Sequence, residues 1–172
     1  IGKVTEVRGL KVGGIGVSDQ TARKLATIDG LQVLDISNCR GFTSAGLAVI
    51  TALPLLELTA EGDLDWAPAH FLALSKCRTL ERLNISRSDG RRGSVLNSSD
   101  RVLIAEHLCS IAKSLRELKI NCREAEFLGD GVVEVLSQSS CITVLEAVGC
   151  GGLSVRTMCK LLAISNLTHI SI

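Results

Sequence analysis

Leu31-Gln32-Val33-Leu34-Asp35-Ile36-Ser37-Asn38-Cys39-Arg40-Gly41-Phe42-Thr43-Ser44-Ala45-Gly46-Leu47-Ala48-Val49-Ile50 is the stretch that decides the fold. Its apolar residues Leu31, Leu34 and Ile36 leave Val33 and Asp35 on the opposite side, the alternation of a strand with one buried face. Small polar residues follow, and Thr43 or Ser44 then precedes Leu47 and Ile50, a helix-start signal joined to helical spacing. One strand and one helical return therefore fit in twenty residues. The six-residue opening recurs from Val4, Leu55, Leu80, Leu115, Ile142 and Leu167, so the seven starts lie 27, 24, 25, 35, 27 and 25 residues apart. A period in that range marks a repeat solenoid, in which each unit adds one short parallel strand and one helix to a shared core.

The expected fold is thus α/β, a single domain over residues 1–172 with a parallel sheet of about seven strands and helices on the other side. Leu83 with Ile85 and Leu118 with Ile120 point inward like Leu34 with Ile36. Helical returns are expected from Ser18 or Asp19 to Ile28, after Thr43, and near Pro68 to Ser75, Asp100 to Lys113, Gly131 to Ser137 and Ser154 to Ile164. A right-handed strand–helix–strand path leaves the strands on an extended concave face.

Composition narrows the function classes. At 46% apolar and 22% charged residues the chain is globular, and a net charge of +1 with interspersed signs provides no general field for nucleic acid or an anionic membrane. The uncharged run from Leu47 to Leu56 is about half of what a membrane span requires and is expected in the core. The chain opens at Ile1 without a leader pattern and stops at Ile172 inside the seventh strand, so it is expected to be a piece of a longer protein with neighbouring repeats or domains beside it.

Seven cysteines in no paired short spacing argue against a disulfide framework. Cys39 and Cys150 lie eight residues after Leu31 and Ile142, and Cys122 seven after Leu115, where the chain leaves the strand. A small thiol there packs inward and meets a neighbouring backbone group. Cys77, Cys109, Cys141 and Cys159 fall in or near the returns. Buried, reduced thiols and a cytoplasmic setting are expected.

The cysteine after the strand, Thr43-Ser44 before the return and Gly46-Leu47 opening its helix resemble the cysteine-containing class of leucine-rich repeats, found in F-box substrate receptors and related scaffolds such as ribonuclease-inhibitor-like proteins. Cys150-Gly-Gly-Leu153-Ser154 is a looser match, and the copies at Leu55 and Leu80 carry Asp63 and Ser88 where the cysteine would stand. Divergent arrays of this class are abundant in protozoan proteins. The resemblance implies a non-enzymatic protein-binding module without a cofactor. It also leaves open the substrate-recognition part of an F-box-type ubiquitin ligase, a structural spacer or assembly segment, and a regulator of a small GTPase. No segment resembles an F-box.

Three lanes of variable residues follow from the pattern. The first holds Glu6, Val33, Glu57, Arg82, Glu117, Val144 and His169; the second Arg8, Asp35, Thr59, Asn84, Lys119, Glu146 and Ser171; the third Leu10, Ser37, Glu61, Ser86, Asn121 and Val148. Mixed charge with scattered aliphatics suits a protein partner better than a phosphate backbone. Asp35, Glu57, Arg82, Asn84, Glu117, Lys119 and Glu146 are the candidate partner-binding residues. Arg82 between Glu57 and Glu117 also fits a cross-strand charge ladder on a solvated face. The long fourth interval places an insertion at 87–99, polar and containing Arg87, Arg91 and Arg92, which suits an acidic partner or phosphorylation at Ser88, Ser94, Ser98 or Ser99. It equally suits a tolerated flexible insertion.

Catalytic patterns are weak. His70, His107 and His169 belong to no nucleophile or metal signature, and Asp63 with Asp65 reads as a cap for the next helix rather than a calcium loop. Gly13-Gly14-Ile15-Gly16 lacks phosphate-loop spacing and reads as a turn. Trp66, the single tryptophan, is expected to pack beneath the third return.

Overall fold

The computed structural model describes residues 6–13, 17–39, 41–62, 66–87, 96–121, 129–150 and 153–172. Strands and helices alternate: β1 (Gly9–Lys11), α1 (Asp19–Leu25), β2 (Val33–Asp35), α2 (Ser44–Ile50), β3 (Glu57–Thr59), α3 (Pro68–Leu74), β4 (Arg82–Asn84), α4 (Ser98–Ile111), β5 (Glu117–Lys119), α5 (Asp130–Ser137), β6 (Val144–Glu146), α6 (Val155–Leu162) and β7 (His169–Ser171). All seven strands are parallel and lie in chain order in one open sheet, an arrangement consistent with a solenoid. Each helix from α1 to α6 packs on the next.

One position per strand carries the core. Leu34, Leu58, Leu83, Leu118 and Leu145 are in mutual register and no more than 1% exposed. The helices close on them with Ala22, Leu25, Leu47, Ile50, Phe71, Leu74, Leu108, Leu136 and Leu161, all buried. Each fully buried leucine contributes about 1.5–3 kcal/mol, against about 0.2–1 kcal/mol for an exposed ion pair, so apolar packing holds the stack. Backbone bonding repeats with the same precision. The carbonyl of Gln32 accepts from Leu56 and Glu57, that of Leu56 from Glu81 and Arg82, and that of Glu81 from Arg116 and Glu117.

The first copy is shifted by three residues from its sequence reading. Gly9 pairs with Val33, Leu10 with Leu34 and Lys11 with Asp35, so the copy begins at Val7 rather than Val4, which lies outside the described residues. Leu10 and Val12 pack against the core. Consequently Glu6 and Arg8 precede the strand and Leu10 turns inward; Gly9 and Lys11 take the places in the lanes. The pattern's own spacing of three between its first two apolar positions allows the ambiguity, and pairing with β2 removes it.

Where strands end, the backbone turns left-handed at one repeated place: φ is 59° at Asn38, 102° at Gly62 and 77° at Gly149. Asn and Gly are the residues that tolerate this region. Just beyond, the Cys39 thiol donates to the Val12 carbonyl at 3.0 Å and the Cys150 thiol to that of Ile120 at 2.9 Å. The expected inward thiol thus ties each turn to the preceding copy. Cys77 is also buried, but Cys109 and Cys159 on α4 and α6 are exposed, because they sit on the helix sides turned away from the sheet. Cys122 lies outside the described residues.

The helix starts are joined between copies. Asp19, first residue of α1, accepts the Thr43 backbone N–H at 2.8 Å and its hydroxyl at 2.6 Å, while Thr43 caps α2 by accepting from Ala45 N–H at 3.1 Å. Gly46 makes this possible, since a Cβ there would stand 2.1 Å from Asp19 Oδ1. Asp130, first residue of α5, occupies the same repeat position and accepts from the Thr157 hydroxyl of α6. These bonds to Thr43 hold the Asp19 carboxyl below the usual carboxylate range.

Part of the insertion is helix. α4 has 14 residues where the other helices have seven or eight, and Ser98 and Ser99 form its first turn rather than a loop. Asn97 caps it by accepting Asp100 N–H at 2.8 Å, and Asp100 returns the bond at 3.1 Å. Arg91, Arg92, Ser88 and Ser94 lie outside the described residues. So do Asp63 and Asp65; the N-cap of α3 is Ala67, whose N–H donates to His70 Nδ1 at 3.1 Å. Trp66 is 5% exposed, with its ring against His70 and Phe71 at centroid distances of 5.5 and 5.6 Å.

Candidate functional site

The sheet face opposite the helices brings the candidate residues together. Strand alternation sends Leu58, Leu83 and Leu118 inward and presents Glu57 and Thr59, Arg82 and Asn84, and Glu117 and Lys119 on the other side. Register aligns them across the sheet: Glu57 beside Arg82 beside Glu117, and Thr59 beside Asn84 beside Lys119 beside Glu146. A shallow depression of about 140 Å³ lies among Glu57, Thr59, Arg82, Asn84, Glu117 and Lys119.

The charges pair internally. Arg82 Nε donates to Glu57 Oε2 at 2.8 Å. Lys119 Nζ sits 3.1 Å from Glu117 Oε1 and 3.0 Å from Glu146 Oε1, and its bonds to Glu146 and then Glu117 raise the ammonium pKa. Lys11 Nζ reaches Asp35 Oδ2 at 2.7 Å. Burial pushes the Asp35 carboxyl up, but the hydrogen bonds from Lys11 and from Ser37 N–H more than offset it and leave Asp35 below the ordinary value. The charge ladder inferred around Arg82 is therefore present on the Glu57 side.

Several expected surface residues are structural instead. Ser37 Oγ accepts Glu61 N–H at 3.2 Å, Ser86 Oγ accepts Asn121 N–H at 3.1 Å, and Asn121 Oδ1 accepts Val148 N–H at 2.8 Å. These side chains bond the second copy to the third, the fourth to the fifth and the fifth to the sixth where the ladder of strand bonds ends. Asn84 divides its amide: Oδ1 accepts Ser86 N–H at 3.1 Å, and Nδ2 donates to Glu61. Two residues of the face, Lys11 and Glu61, were outside the candidate set. A correct register for the first copy would have found Lys11 from sequence. Arg87, the described arginine of the insertion, has its backbone N–H bonded to the Asn121 carbonyl at 2.7 Å, which places it just past β4.

Among the described residues no three His, Cys, Asp or Glu side chains gather as a metal would require, and no helix is long and apolar enough to cross a membrane. His70 and His107 lie on α3 and α4 and His169 on β7, with no shared site. What the face offers chemically is an array of fixed charges and amides at strand spacing. Neither any family model nor any curated protein matches the chain.

Proposed function

We propose that the chain is a leucine-rich-repeat module that binds another protein, non-catalytically, through the outer face of its sheet and the 87–99 segment. The observation that carries the reading is the register: seven strands in chain order align variable polar residues into lanes, while the repeated apolar positions are consumed by the core. Such a surface recognises an extended partner by charge and shape at many points. The thiol-to-carbonyl bonds at Cys39 and Cys150 support the cysteine-containing class, since they give that residue a packing role between copies.

The test is affinity capture from native extract with the wild-type chain and with Arg82→Glu/Lys119→Glu. Both side chains are on the surface, so the double variant is expected to keep its fold and to change the amount of partner recovered, downward for an acidic partner and upward for a basic one. Partner recovery by a folded double variant that is unchanged in either direction would refute binding through this face.

A further inference from the structure

We propose that the outer sheet face receives a cationic, extended segment of the partner protein, with Asp35, Glu57, Glu61, Glu117 and Glu146 as its acceptors; this rests on the reading that the face is the docking surface. Among the described strand residues of that face, with Glu61 just past β3, carboxylates outnumber cations by five to three, and each of these cations is already engaged: Lys11 by Asp35, Arg82 by Glu57, and Lys119 by Glu117 and Glu146. An acidic partner would have to displace carboxylates tethered beside those cations, at high effective concentration. A basic one needs to displace nothing. Arg82 uses one oxygen of Glu57, and Lys119 one oxygen each of Glu117 and Glu146. A carboxylate accepts at both oxygens, so acceptor capacity remains on each. Glu61 takes only the neutral Asn84 amide and makes no ion pair among the described residues.

Geometry sets the ligand's spacing. Adjacent strands lie about 4.8 Å apart, so Glu57 on β3 and Glu117 on β5 are separated by about 10 Å, the rise of about three extended residues. Asp35 on β2 and Glu146 on β6 stand one strand further out at each end and one lane across, about 8 Å from Glu57 and Glu117 by strand spacing and rise. A segment crossing the strands with Lys or Arg at every third position would meet successive carboxylates, its small residues passing over Thr59 and Asn84 in the depression.

The experiment is fluorescence anisotropy on the whole chain with two labelled peptides of equal length, one with lysine and one with glutamate at every third position and serine elsewhere. The lysine peptide is expected to bind, and to weaken when salt is raised from about 0.05 M to about 0.5 M. Asp35→Asn/Glu61→Gln, which keeps the amide acceptors for Ser37 and Asn84, is expected to weaken it by about tenfold or more in Kd. Equal binding to that variant overturns the proposal. Binding of the glutamate peptide, lost in Arg82→Glu/Lys119→Glu, overturns the cationic occupant but keeps the face as the docking surface. Binding of neither peptide also overturns the cationic occupant, and the capture experiment then decides whether the face docks a partner at all.

Discussion

Replacing Gly46 with alanine tests the joint between the first two helical returns. In isolation the change favours α2, because alanine exceeds glycine in helix propensity by about 0.8–1 kcal/mol. Here the new Cβ would lie 2.1 Å from Asp19 Oδ1 and 2.9 Å from its Cγ. The carboxylate must swing away and give up its bonds to the Thr43 N–H and hydroxyl. Loss of a capping interaction of this kind costs about 0.5–2 kcal/mol, and removal of an anion from a helix N-terminus a further 0.3–1 kcal/mol or so. Gly46→Ala is therefore expected to destabilise by about 0–2 kcal/mol, and Asp19→Ala by about 1–2 kcal/mol. In the Asp19→Ala background the obstruction is gone apart from a 3.2 Å approach to the Asp19 Cα, so Gly46→Ala becomes neutral or stabilising. Urea unfolding of the four proteins at pH 7, followed by fluorescence of the buried Trp66, gives the coupling energy, expected at about 1–2 kcal/mol. Additivity within about 0.5 kcal/mol would refute the clasp. The pH dependence carries a second sign. The Asp19 carboxyl is held low in the folded chain, so its contribution is fully present above the ordinary carboxyl pKa and disappears as pH falls through the lower folded value. The wild type should lose its advantage over Asp19→Ala in that acid window and nowhere else.

Two further outcomes follow from backbone and thiol geometry. Gly62→Ala is expected to cost more than Gly30→Ala: both residues have positive φ, 102° and 78°, but a Cβ at Gly62 meets Asn38 Oδ1 at 2.3 Å whereas Gly30 has open space. Gly30→Ala isolates the conformational cost of about 1–2 kcal/mol, and equal midpoints in urea would contradict the role assigned to the Asn38 contact. Site-resolved alkylation of the native chain should label Cys109 and Cys159 quickly and Cys39, Cys77 and Cys150 only on unfolding; fast labelling of Cys39 would exclude its bond to Val12.

The sequence by itself determined the repeat, its strands and its helices. Leu-x-x-Leu-x-Ile spacing states which side chains leave water, and Thr43 and Ser154 state where helices begin, as their cap bonds show, whereas the start of α4 at Asn97 lay inside the expected insertion. These are local relations, complete within one copy. Tertiary structure decided everything that depends on how one copy meets the next. Val4 and Val7 were equivalent starting points until β1 paired with β2, and that pairing admitted Lys11 to the face and sent Leu10 inward. Ser37, Ser86 and Asn121 have the composition of solvated polar residues, yet each satisfies a backbone N–H in the adjacent copy. Gly46 has the look of a repeat signature, and its reason is a carboxylate 27 residues earlier in the chain. The charge of the face is likewise a property of neighbours. Arg82 and Lys119 are cations in sequence, but parallel register sets Glu57, Glu117 and Glu146 beside them, and the surface they form together is acidic.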